Sequence, residues 1–99
     1  MKYQISFLEE ADLDIEETYI WYETLSLGLG RRFFEQIQNT IEYIITNPYM
    51  FRVVYKRIRR TFVNKFPYGI YYIVENEKII IIGILHFHRH SNSWKKRII

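Results

Sequence analysis

Phe66-Pro67-Tyr68-Gly69-Ile70-Tyr71-Tyr72-Ile73-Val74, then Glu75-Asn76-Glu77-Lys78, then the run from Ile79 to His90, is the stretch that decides the fold. It reads as two antiparallel strands at the centre of a small sheet. Isoleucine, valine and tyrosine suit a pleated, half-buried surface, and turn residues stand on both flanks. Alternation puts Ile70, Tyr72 and Val74 on one side of the first strand, and Tyr71 and Ile73 on the other. In the second strand Ile80, Ile82, Ile84, His86 and His88 share a face, opposite Ile79, Ile81, Gly83, Leu85 and Phe87. Both faces are apolar until His86, as expected of a central strand buried on both sides.

The rest of the chain reads as cover for this sheet. Tyr3, Ile5 and Phe7 alternate with polar residues in a short N-terminal strand. Glu9 and Glu10 open a helix at its positive end. Ala11, Ile15, Tyr19 and Tyr22 give it an apolar stripe, widened by Leu13, Ile20 and Trp21. Asp12, Asp14, Glu16, Glu17 and Glu23 take the wet side, and the helix ends near Leu25-Ser26. Gly28 and Gly30 bracket a tight link to a second helix that runs to about Thr46. Its apolar face is Phe33 or Phe34 with Ile37, Ile41, Ile44 and Ile45. Asn47-Pro48 stops it, because a residue before proline avoids helix. A link this short makes an antiparallel helical hairpin. Tyr49 to Val54 fits either a loop or an edge strand, and Tyr55 to Phe66 reads as one strand. The expected architecture is α/β (α+β): an N-terminal strand and a two-helix hairpin packed on a mainly antiparallel, roughly four-stranded sheet, in one domain over residues 1–99.

Composition excludes several classes. The hydrophobic fraction of 48% and aromatic fraction of 18% argue against disorder. The longest apolar run, Ile79 to Leu85, has strand length and falls far short of the ~18 residues of a membrane span. With no cysteine there is no disulfide framework and no thiolate chemistry. A cytoplasmic protein is expected, with no membrane partner, cofactor or metal. The net charge of +3 is unevenly spread. Glu9, Glu10, Asp12, Asp14, Glu16, Glu17 and Glu23 crowd the first thirty residues, where the only basic side chain is Lys2. Arg52, Lys56, Arg57, Arg59, Arg60 and Lys65 follow with no acid among them, and the tail adds Arg89, Lys95, Lys96 and Arg97. This asymmetry suits an anionic partner on the second half, nucleic acid or acidic polypeptide; a solvated basic face accounts for it equally.

Three groups carry candidate chemistry. His86 and His88 share a strand face beside Arg89 and His90, and a histidine can move protons near neutral pH. No Asp, Glu or Cys stands beside them in sequence to complete a metal site. Arg57, Arg59, Arg60 and Lys65 can hold phosphate, and an arginine can stabilise charge growing on phosphorus. A metal-free ribonuclease needs such a group with a base and an acid; otherwise these side chains solvate a face or pair with the acidic helix. Tyr68, Tyr71 and Tyr72 can stack unpaired bases, although buried core is the commoner use of such residues.

In order along the chain stand Glu10-Ala11 with Leu13, Trp21-Tyr22-Glu23, Gly28-Leu29-Gly30 with Phe33-Phe34, Asn47-Pro48, and Ile58-Arg59-Arg60. Then come Lys65-Phe66-Pro67-Tyr68-Gly69-Ile70-Tyr71-Tyr72 and Ile84-Leu85-His86 with Arg89 and Trp94. As an ordered set these resemble the RelE/ParE superfamily of toxins from type II toxin–antitoxin systems, including plasmid-stabilisation systems. The resemblance implies a small growth-inhibiting toxin held inactive by a cognate antitoxin, commonly acidic and partly disordered before binding. RelE-like members cut mRNA in the ribosome, and ParE-like members poison DNA gyrase. The Phe-Pro-Tyr-x-Ile-Tyr-Tyr run and the His-x-x-Arg with a downstream Trp look ParE-like. No tyrosine follows Tyr72, so the C-terminal catalytic tyrosine of RelE-like members is absent. Phe87 stands where ParE-like members often carry glycine. The favoured expectation is a gyrase poison contacting its target through Arg57, Arg59, Arg60, Arg89, Trp94 and Arg97. The alternative is a metal-independent endoribonuclease with Arg59 and Lys65 on phosphate and His86 or His88 moving protons. A third expectation is a decayed, non-toxic antitoxin-binding module. A homodimer is a further partner expectation.

Overall fold

The computed structural model describes residues 3–88 and 93–97. Strand β1 (Gln4–Phe7) leads into helices α1 (Glu9–Leu25) and α2 (Leu29–Thr46), followed by β2 (Val53–Tyr55), β3 (Ile58–Phe62), β4 (Tyr68–Glu75) and β5 (Lys78–His86). A short 3-10 segment, Ser93–Arg97, closes the described chain. The strand order is β1-β5-β4-β3-β2, with β1 parallel to β5 and the other neighbours antiparallel. The sheet therefore has five strands rather than four. The extra one comes from Val53–Tyr55, where the sequence fitted loop or edge strand. The expected single strand over Tyr55–Phe66 is broken at Lys56-Arg57, where Lys56 takes a left-handed φ of 51°. A second left-handed residue, Lys65 at 69°, turns the chain before β4.

The helical hairpin lies on one sheet face. Its buried seam joins Ala11, Phe33, Ile37 and Ile44 to Ile70, Tyr72, Ile79, Ile81 and Ile84 of the central strands. Phe33 rather than Phe34 enters the core; Phe34 is 40% exposed. On α1 the stripe is narrower than its apolar residues suggest, because Leu13, Ile20 and Trp21 all face outward. The helices cross closely at Gly30, where a Cβ would stand 2.5 Å from the Tyr19 carbonyl oxygen. Glu23, read as a wet-side residue, instead caps α2. Its carboxylate accepts from the N–H groups of Gly28 at 3.1 Å and Arg31 at 3.3 Å. Those backbone bonds, Gly28 first, hold its pKa below the usual carboxylate value despite some desolvation.

The second sheet face has its own apolar cluster: Ile58, Tyr71, Ile73, Ile82 and Leu85, covered by Trp94. The expected facing of β5 changes midway. Tyr71 pairs with Gly83 and Tyr72 with Ile81, which leaves Ile82 as an extra residue. This bulge shifts the alternation by one position. Ile79 and Ile81 thus share the helix side with Ile84, while Ile82 and Leu85 face away.

Candidate functional site

Pairing with β4 sorts the basic residues of β3 between the two faces. Arg60 lies opposite Tyr71 and shares the second face with Ile58, whereas Arg59 lies opposite Tyr72 on the helix side. The stem of Arg60 crosses Gly69, where an added Cβ would meet it at 3.3 Å. Its guanidinium sits 4.8 Å from the Phe62 ring centroid. Phe62 is 54% exposed and meets Phe87 edge-on at 4.7 Å. Farther along the same face, Trp94 stacks on Tyr71 at 4.7 Å and meets Tyr55 edge-on at 5.9 Å. Lys56 and Lys95 lie over the Tyr55 ring at 5.4 and 4.8 Å. The second face thus carries two basic–aromatic patches, Arg60-Phe62-Phe87 and Tyr55-Lys56-Trp94-Lys95. Cations above flat rings combine charge with apolar contact, which suits an acidic protein surface or a nucleic-acid backbone.

The other predicted site residues have different surroundings. Arg57 pairs with Glu75 at 2.7 Å in the open. Arg59 donates Nη1 to the carbonyls of Phe51 at 2.7 Å and Tyr49 at 3.2 Å, and lies 5.1 Å from the Tyr49 ring centroid. It tethers the link between α2 and β2. Lys65 is exposed in the turn before β4, beside Arg32 and Phe66. His86 is half-buried, opposite Tyr68 and edge-on to it at 5.3 Å. Its Nδ1 accepts the backbone N–H of His88 at 3.1 Å, so neutral His86 carries its proton on Nε2. His88 is exposed. Trp94 is buried, and Arg97 is engaged in an ion pair with Asp14 at 2.6 Å. Arg89 and His90 lie outside the described residues. Tyr68, Tyr71 and Tyr72 are all core and offer no ring to solvent for stacking. Tyr72 donates its hydroxyl to the Pro48 carbonyl at 2.7 Å. Burial pushes its pKa up to about 12, with Arg59 pulling the other way.

Arg59 is not brought to the histidine pair, His86 and His88, whose ring centroids lie 6.0 Å apart. His86 stands opposite Tyr68 and Arg59 opposite Tyr72, on the two flanks of β4. Four residues of strand separate them by roughly 13 Å along the chain, and two strand spacings by about 10 Å across it. Among the described residues no group of three or more His, Asp or Glu side chains is placed to hold a metal ion. No helix there is long and apolar enough to cross a membrane.

A different kind of surface marks the helix layer. A groove of about 670 Å³ is lined by Phe7, Ile15, Tyr19 and Phe34, with Asp12, Glu16 and Arg31 around it. The sequence does not show this groove, because helical periodicity counts Tyr19, and Phe33 or Phe34 alike, as core. It also missed Asp14, which was placed on the wet side. Asp14 stands three residues after Ala11, the first residue of the apolar stripe, and four before Thr18, which the structure also buries.

A family profile described as "ParE toxin of type II toxin-antitoxin system, parDE" matches residues 5–90. No curated protein matches the chain. Among solved structures, one described as "Chromosomal ParDE TA system from P. aeruginosa" superposes with a TM-score of 0.76 at 16% identity. It covers 86% of this chain and 96% of the matched one. The likeness extends to the strand–hairpin–sheet order itself, and the profile spans nearly all of it: this chain belongs to the ParE toxin family of type II toxin–antitoxin systems.

Proposed function

We propose that this toxin arrests growth by binding DNA gyrase through the second sheet face, and that a cognate antitoxin holds it inactive. The observation that carries the reading is the division of labour among the basic residues. Arg60, Lys56 and Lys95 gather with aromatic rings on one face, while Arg59 turns its Nη1 to the Tyr49 and Phe51 carbonyls. A ribonuclease needs its phosphate-holding arginine within reach of its proton carrier; a binding poison needs only a surface. The antitoxin reading is supported by the apolar surface of the helix layer: the groove lined by Phe7, Ile15, Tyr19 and Phe34, and the exposed Leu13, Ile20 and Leu27 elsewhere on the hairpin. Exposed apolar side chains gathered in a groove suit an interaction site in a small domain.

Pulse-labelling after inducing this chain alone in a bacterial host tests the proposal. DNA synthesis stopping first, with a DNA-damage response, is the expected outcome. Protein synthesis stopping first, and its loss in His86→Ala or His88→Ala, would replace this reading with ribosome-dependent mRNA cleavage. Unimpaired growth with soluble toxin present would leave an antitoxin-binding module without toxicity.

A further inference from the structure

The segment Ser93–Arg97 covers the second face, where Trp94 and Lys95 both lie against Tyr55, and two further contacts anchor it. One is the stack of Trp94 on Tyr71. The other is Arg97, which passes the sheet edge to reach α1. Its Nη1 stands 2.6 Å from Asp14 Oδ2 and its Nη2 3.3 Å from Oδ1. Both side chains are largely buried, at 16% and 12% exposure. The pair also closes an open backbone edge. Strand β1 ends with Phe7 opposite Ile81, so β5 continues beyond it without that neighbour. There Asp14 Oδ2 accepts the Ile84 N–H at 3.0 Å, and Arg97 Nη1 donates to the Ile82 carbonyl at 3.0 Å. Gly83 lies between these two groups. A Cβ on it would stand 2.8 Å from Arg97 Nη1 and 3.4 Å from Asp14 Oδ2.

We infer that Asp14, Gly83 and Arg97 form a latch, and that Asp14 is the positioning residue by which α1 fixes the C-terminal segment on the second face. A carboxylate on the helix layer thereby sets how Trp94 and Lys95 are presented on the sheet's far side. Removing one member of a buried, hydrogen-bonded ion pair leaves the other charge uncompensated, so the segment releases rather than keeping half the pair. The helix-side core is built without the segment, so release is expected to leave the helices in place. The latch stands on geometry alone; its bearing on growth arrest rests on the proposed target surface.

The test uses the full chain in a Trp21→Phe background, where Trp94 is the only remaining tryptophan. Asp14→Asn, Gly83→Ala and Arg97→Gln attack the latch from three elements. Each is expected to raise trypsin cleavage after Lys95 and Lys96 at least tenfold and to red-shift Trp94 emission, with the helical circular dichroism retained. Agreement among the three separates release from misfolding of any one variant. Cleavage within twofold of the parent in both Gly83→Ala and Arg97→Gln would overturn the latch. Growth arrest is scored separately. If the parent arrests growth and the released variants do so undiminished, the latched position is not the one the target reads. A parent that fails to arrest growth counts against the proposed function, while the cleavage result still decides the latch.

Discussion

The two faces of the sheet are covered by different means. On the helix side, thirty-five helical residues (17 in α1 and 18 in α2) bring Ala11, Phe33, Ile37 and Ile44 onto an isoleucine-rich floor. On the other side a five-residue segment supplies one indole and one guanidinium. The first cover is distributed over many apolar contacts, so no single group controls it. The second, among the described residues, rests on Trp94, on Lys95 and on the Asp14–Arg97 pair. Charge follows the same division: acids line α1, while Arg60, Lys56 and Lys95 lie on the far face. In the proposed reading, one face holds the fold and the other presents the target-contact surface.

The sharpest way to break this contrast is to truncate the aromatic anchor of each face. Phe33 is fully buried and meets Tyr22, Phe66 and Tyr68 at ring distances of 5.3–5.5 Å. Phe33→Ala should therefore lower global stability by about 3–5 kcal/mol, the range for emptying an aromatic core site. Trp94→Ala removes a larger ring, yet its effect on the urea midpoint should be clearly smaller, because undocking of the segment leaves the helix-side core intact. Its signature should be fast tryptic cleavage near the C-terminus. Equal midpoint shifts for the two variants would mean that both faces unfold as one unit.

The same contrast explains what the sequence made legible. The helix-side core follows from periodicity: Ile37, Ile41 and Ile44 recur at helical spacing, and the isoleucines of β5 can hardly be anything but buried strand. The second face is harder to read, for physical reasons. A one-residue bulge at Ile82 exchanges the faces of half a strand, and no residue type announces it. The break at Lys56 depends on a left-handed backbone at a residue that does not favour it. The basic residues were recognisable as a group, but their surroundings were not. Arg59 and Arg60 are sequence neighbours, and alternation along β3 sends one to carbonyl oxygens and the other across Gly69 to a phenyl ring. Arg97 looked like part of an exposed basic tail because its partner, Asp14, is far away in sequence.

Tyr72 gives the next effect in size and a pH dependence with a definite sign. Tyr72→Phe strands the Pro48 carbonyl beside α2, and losing one buried hydrogen bond of this kind costs about 1–2 kcal/mol. The folded phenol titrates at about 12, above its unfolded value near 10. A raised pKa means that this contribution is complete below pH 10 and is lost as pH climbs towards 12. Urea titrations between pH 9 and 12 should show the wild type losing more stability than Tyr72→Phe. Parallel curves would sink the assignment. Glu23 gives the mirror image at the acid end. Its pKa is lowered by the α2 backbone, so its contribution is present above the unfolded value and lost as pH falls through the lower, folded one. Glu23→Gln should lower the melting temperature by less than Tyr72→Phe does, and should flatten the acid limb of the stability profile.

The smallest expected stability effect makes the strongest separation of surface from scaffold. Arg57–Glu75 on the sheet side and Arg31–Glu35 on α2 are both exposed ion pairs, at 2.7 and 3.6 Å. Exposed pairs contribute about 0–1 kcal/mol, because water screens them and two long side chains must be ordered to form them. Arg57→Ala and Arg31→Ala should therefore both leave the melting temperature nearly unchanged. Their effects on growth arrest should differ. Arg57 adjoins Lys56 and the basic–aromatic surface proposed for target contact, so its loss should weaken arrest without weakening the fold. Arg31 borders the apolar groove of the helix layer, and its loss should leave arrest at the wild-type level. Equal loss of arrest in the two variants would mean that the target reads overall positive charge, not one face. Loss in Arg31→Ala alone would move the contact surface to the helices.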